Sequence, residues 1–95
     1  MIRNIVLVKL KPGTTDAQID ALRDALAAVP FAGRHNPRVE RDLGLVEGTM
    51  DIVITADFDD EPTYQAWFAD PTHNRVREER LIPFTERTAR IQYRL

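Results

Sequence analysis

The 95-residue chain contains no cysteine and no serine. Without cysteine there is no disulfide framework, thiolate nucleophile or sulfur-ligated metal site, so packing alone must hold the fold. Without serine the serine-protease triad is excluded, and neither a glycine-rich phosphate loop nor an HExxH motif occurs. Long apolar runs are missing too: the longest near the start is Ile5 to Val8. That is far short of the roughly 20 apolar residues of a spanning helix and of the apolar segment of a secretory signal, so no membrane role is expected and the default address is cytoplasmic. Nor is there an excess of positive charge. Thirteen Lys+Arg against fifteen Asp+Glu leave a net charge of -2, without the broad positive field that nucleic acid requires, and no nucleic-acid partner is expected.

What is present is an ordinary globular composition, 43% hydrophobic and 29% charged, enough for one small domain over residues 1–95. A chain this short buries only about 60 to 68% of the surface its unfolded form exposes, so association with a second copy is the expected added source of stability.

The opening IRNIVLVKL, stopped by Lys11-Pro12-Gly13, reads as a strand with apolar residues on both faces. Thr15 with Gln18 forms a capping box ahead of Ile19, Leu22, Leu26 and Val29 at helical spacing, and Pro30 closes that helix. Phe31 to Pro37 reads as a loop and Arg38 to Leu43 as a short edge strand. From Met50 to Phe58 apolar and polar residues alternate with a period of two, marking a third strand. Asp59 and Asp60 can cap a helix over Glu61 to Ala69; Asp70-Pro71 breaks it, and Thr72 can cap another running toward Leu81. Ala89, Ile91, Tyr93 and Leu95 then alternate with Arg90, Gln92 and Arg94, a last strand with one apolar and one cationic face.

This order predicts an α+β fold, the ferredoxin-like βαββαβ pattern of an antiparallel sheet with its helices on one face. The other face would carry Ile5, Leu7 and Val53 bare unless a second sheet met it, which predicts a homodimeric α/β barrel.

The stretches MIRNIVLVKLKPGTT, RDLGLVEGTMDIVITADFDDEPTYQAW and ADPTHNRV together resemble the stress-responsive dimeric α/β-barrel (Dabb) family, the DPTH segment being similar to its HPAH or HPEH signature. The resemblance implies a homodimer with a cleft between sheet and helices in each subunit. The family includes stress-linked plant proteins and a plant polyketide cyclase, of the olivetolic acid type, that closes a ring by aldol condensation without a cofactor. In that branch a signature histidine acts as base with a tyrosine earlier on the helix and a histidine on the first strand. His73 matches the signature histidine, whereas Trp67 stands at the tyrosine position and Asn4 at the strand histidine.

His73 is therefore the candidate catalytic residue, a histidine near a helix start that can titrate near neutral pH. Tyr64, Trp67 and Phe68 stand together at helical spacing and are candidate substrate-binding residues, or alternatively core. Asn4 shares a strand face with Val6 and Val8 and is a candidate substrate-binding residue that needs a polar partner there, a ligand, water or neighbouring backbone. The acidic run Asp57, Asp59, Asp60 and Glu61 reads as strand-end and helix-cap chemistry, and two histidines make no zinc set, so no metal and no cofactor is expected. The leading functional expectation is a cleft for a small apolar or aromatic molecule, with cofactor-free proton transfer beside a carbonyl. The alternatives are a non-enzymatic stress or assembly protein without a ligand, and a cofactor-free monooxygenase of the antibiotic-biosynthesis type.

Overall fold

The computed structural model describes all 95 residues. The chain runs β1 (Ile2–Leu10), α1 (Asp16–Ala28), β2 (Arg34–Arg41), β3 (Ile52–Phe58), α2 (Glu61–Ala69), α3 (Pro71–Arg80), a 3-10 turn (Ile82–Phe84) and β4 (Thr85–Arg94). The strands form one sheet in the order β2-β3-β1-β4, with every neighbouring pair antiparallel. This is the ferredoxin-like fold the element order predicts.

Strand periodicity decides which residues meet the helices. Ile2, Asn4, Val6 and Val8 of β1 pair with Phe58, Ala56, Ile54 and Ile52 of β3, and this face lies under Ile19, Leu22 and Leu26 of α1 and Trp67 of α2. The thirteen buried apolar residues form one cluster, each large side chain contributing roughly 1.5 to 3 kcal/mol by leaving water. Residues of the opposite parity, Arg3, Ile5 and Leu7 with Val53 and Ile91, have no layer above them. Leu7, Ile91, Tyr93 and Leu95 are 38, 58, 43 and 60% exposed.

Helix α1 starts as its capping box dictates: Thr15 Oγ1 accepts from Gln18 N–H, and Gln18 Oε1 accepts from Thr15 N–H. Against the sequence reading, β2 stops at Arg41 and not at Leu43 and β3 starts at Ile52 and not at Met50, and three further boundaries differ for local reasons. β2 begins at Arg34 and not at Arg38, because an extra residue is accommodated by a bulge between His35 and Arg38, where Asn36 takes φ 50°; loop-forming residues here sit inside a strand. Gly33 leads into it at φ 87°, where a Cβ would lie 2.8 Å from Thr63 Cγ2. α3 is capped by Asp70, whose carboxylate accepts from His73 N–H at 2.9 Å, and not by Thr72, so Pro71 opens the helix as its first residue. β4 starts at Thr85, four residues before Ala89, since Arg87 and Thr88 pair with Lys9 and Val8 despite their polarity. No helix is long and apolar enough to cross a membrane.

Candidate functional site

Between the sheet and the helices lies a cavity of about 80 Å³, well under the roughly 300 to 1,000 Å³ of pockets for drug-sized molecules. Asn4, Tyr64, Trp67, Phe68 and His73 all line it. The fold collects them from distant places: Asn4 from the centre of β1, three aromatics from one face of α2, and His73 from the first turn of α3.

The Asp70 cap fixes His73. With its backbone held by that carboxylate, the imidazole lies 20° from parallel to the Trp67 ring at a centroid distance of 3.9 Å. Its Nδ1 is 2.8 Å from the Trp67 carbonyl oxygen, which only accepts, so Nδ1 carries the proton and the neutral ring keeps its lone pair on Nε2. Nε2 has no partner in the protein, and no fully enclosed side-chain nitrogen or oxygen is left unpaired, so Nε2 is not sealed off and stays accessible on a residue that lines the cavity. Burial pushes the pKa of His73 down, and the charges of Arg77 and Arg34 push the same way, against the Trp67 carbonyl and Asp70. The ring is thus held neutral, as a base requires.

Asn4 is buried, and its Oδ1 accepts from Gln92 Nε2 at 2.8 Å. That leaves the amide N–H groups of Asn4 as donors beside the apolar wall of Val6 and Ile54. Trp67 is the hub of the aromatic group: Phe31 meets it edge-on at 5.2 Å, Phe58 tilts against it at 6.1 Å, and the Arg34 guanidinium lies 4.4 Å from its ring centre. Tyr64 packs edge-on to Phe58 at 5.4 Å and is half-buried, while Phe68 sits at the cavity rim.

Sequence reasoning overlooked the arginines. Arg23, Arg34, Arg38, Arg77 and Arg90 also line the cavity, and no Asp or Glu does. A signal for two of them was present. Arg77 follows His73 by four residues and so shares its helix face, and Arg90 belongs to the cationic face of β4, which the register with Val6 turns toward the helices. No group of three or more His, Cys, Asp or Glu side chains is arranged to hold a metal ion.

Comparison with known proteins adds a family and a set of folds. The family described as the stress responsive A/B barrel domain matches residues 2–94. No curated protein matches the chain. Among solved structures, a dimeric ferredoxin-like protein of unknown function from Thermobifida fusca is 28% identical, with a TM-score of 0.84 over 99% of this chain and 90% of that one. A Dabb family protein with a ferredoxin-like fold from Mesorhizobium loti is 19% identical, with a TM-score of 0.77 over 99% and 95% of the two chains. A hydroxynitrile lyase from Passiflora edulis is 17% identical, with a TM-score of 0.82 over 97% and 90%. At those last two identities the likeness is one of fold alone.

Proposed function

The chain belongs to the stress responsive A/B barrel domain family, and from that membership we propose a homodimer in which each subunit binds a small apolar or aromatic molecule in the cavity lined by Asn4, Trp67 and His73. Two observations support the dimer. Structural neighbours are described as dimeric, and the sheet face opposite the helices carries exposed Leu7, Ile91, Tyr93 and Leu95 beside Ile5 and Val53. The small volume selects a compact ligand, about one ring in size, over a long-chain one. We place this dimer in the cytoplasm, as one domain acting without a metal, cofactor, nucleic acid or membrane.

The observation that carries a chemical role is that a neutral His73 with a free Nε2 and Asn4 with unused N–H donors line the same cavity. In that role Nε2 takes a proton from a carbon next to a carbonyl. The C–H electrons become an enolate, whose oxygen Asn4 holds by hydrogen bonding, and Trp67 with Tyr64 positions the ring. The enolate then attacks a second carbonyl of the same molecule or is reprotonated, so electrons balance with no external oxidant. The hydroxynitrile lyase contributes nothing to this reading beyond its fold.

A thermal-shift panel of phenolic, polyketide-like and fatty compounds tests binding, since a ligand specific to the native state raises the melting temperature. Compact aromatic compounds should raise it, and a flat response across the panel favours a purely packed cavity. For chemistry, hydrogen–deuterium exchange at the carbon beside the carbonyl of a bound aryl ketone should proceed with the wild type. His73→Ala should abolish that exchange, and an unchanged rate in the variant removes His73 as the base.

A further inference from the structure

The five arginines around the cavity are not equivalent. Arg23 pairs with Asp20 at 2.9 Å and donates to the Val39 carbonyl; Arg38 lies 3.6 Å from Glu40. Arg34 donates to the Leu26 and Val29 carbonyls, both at 2.9 Å, and so caps the C-terminal end of α1 while lying against Trp67. Their charges have structural employment. Arg77 and Arg90 have no acidic partner within ion-pair distance, and the one side-chain hydrogen bond between them is a 3.4 Å contact from Arg77 to Asn74 Oδ1.

Both stand over the same ring. The guanidinium carbon of Arg77 is 5.5 Å from the centre of Phe68, and that of Arg90 is 5.7 Å from it, one arriving from α3 and the other from β4. Phe68 is 47% exposed and lines the cavity, so this pair marks the rim. Burial lowers the pKa of Arg77, and the neighbouring charge of Arg90 lowers it further, against Tyr64 and Glu78, so the two cations repel. An arginine remains cationic in such a setting, and the repulsion is relieved by an anion between the two guanidinium groups.

We propose that the ligand carries a carboxylate, which Arg77 and Arg90 bind at the rim while its apolar body enters the cavity beside Trp67, Val6 and Ile54. The inference rests on the cavity being a binding site at all, and it names the substrate class: a compact aromatic or branched organic acid, above all a keto acid if His73 acts as base. A planar carboxylate suits the forked donors of arginine, and its single negative charge needs no metal to accompany it.

Calorimetric titration with benzoate, benzamide and phenylphosphonate tests this, with the melting temperature of each variant as a check of folding. Benzoate should bind at least about tenfold more tightly than benzamide, the size expected of a charge-assisted contact. Arg77→Gln and Arg90→Gln should each remove most of that preference, lowering benzoate affinity much more than benzamide affinity, and Arg77→Lys should restore part of it. Raising the salt concentration should weaken benzoate binding to the wild type and not to the double variant. Equal affinity for benzoate and benzamide, or a benzoate preference that survives both substitutions, overturns the carboxylate proposal while the cavity reading stands. Binding of phenylphosphonate without benzoate overturns the carboxylate as well. Failure of all three probes to bind overturns both.

Discussion

The two faces of the sheet are built from the same strands, one residue out of phase, and they have opposite deficits. The helix face has its cover and keeps a gap: Ile2, Val8, Ile52 and Phe58 are buried under α1 and α2, and the remaining space is lined by Asn4, His73 and unneutralised arginines. The open face has no gap and no cover: Ile5, Leu7, Val53, Ile91 and Tyr93 form an apolar area, crossed by an ion pair in which Arg3 Nε and Nη2 donate to the Asp57 carboxylate at 2.7 and 3.0 Å and ended by a looser Lys9–Asp51 pair at 3.4 Å. A missing layer calls for a flat apolar partner, whereas a small polar-rimmed gap calls for a small molecule. The chain thus separates assembly from ligand chemistry by strand parity alone.

The contrast breaks most visibly on the open face. Ile91→Glu, facing Ile5 across β1 and β4, would bring a charge into any surface a second sheet covers, twice over in a symmetric dimer. An unpaired buried charge of that kind should weaken the dimer on the order of 4 kcal/mol, about a thousandfold in dissociation constant. Sedimentation equilibrium should find monomer at micromolar concentration, and an unchanged dimer would place the interface elsewhere. On the helix face the largest effect belongs to folding. Leu22→Ala, at a fully enclosed position of α1, should lower stability by about 3 kcal/mol in urea titrations while leaving the association state of the folded fraction alone.

Much of this division was legible in the sequence, because it rests on periodicity. Alternation in β1 and β3 and the i, i+3, i+4 stripe of α1 fix which residues face inward, and the capping box fixes where α1 starts. Helical spacing put Tyr64, Trp67 and Phe68 together, while His73 and the cleft it faces came from the family resemblance; with Asn4 they line a single cavity. Sequence reasoning failed where local chemistry and tertiary pairing conflict. Gly33, Asn36 and Pro37 are loop formers, yet pairing with β3 draws them to the edge of the sheet through a bulge. Asp70-Pro71 reads as a stop for α2 and is also the cap and first residue of α3, one signal with two consequences. The rim arginines escaped because an arginine on a polar helix or strand face normally reads as solvated. Only the register of β4 on β1 decides that Arg90 turns toward the helices.

The open-face ion pair offers a finer test of the same comparison. Its arginine holds the Asp57 carboxyl below its ordinary range, and the remaining burial works the other way. A carboxyl whose folded pKa is depressed contributes stability above its unfolded value of about 3.9 and loses that contribution as pH falls through the folded value. Asp57→Asn should therefore be less stable than the wild type at pH 7, with the difference closing below about pH 4. Urea midpoints at pH 7, 4 and 2.5 measure it, and a gap that stays constant with pH would mean that packing, not charge, accounts for the loss.

His73 supplies the opposite sign on the covered face, and the smallest effect. Burial lowers its pKa below the unfolded value of about 6.5, so between the two values the unfolded chain binds more protons and stability rises with pH. The stabilising contribution is complete above about pH 6.5 and fades as pH falls toward the folded value, at a slope that for one proton cannot exceed about 1.4 kcal/mol per pH unit. His73→Gln should flatten that part of the profile, while Asp57→Asn leaves it intact. Because the charge of Arg77 is among the causes that lower His73, an anion at the rim offsets it. Saturating benzoate should then raise the pKa of His73, read from its imidazole resonances, and benzamide should not. A benzoate complex in which the His73 titration stays where it was would place the anion away from Arg77, even if the affinity still depended on charge.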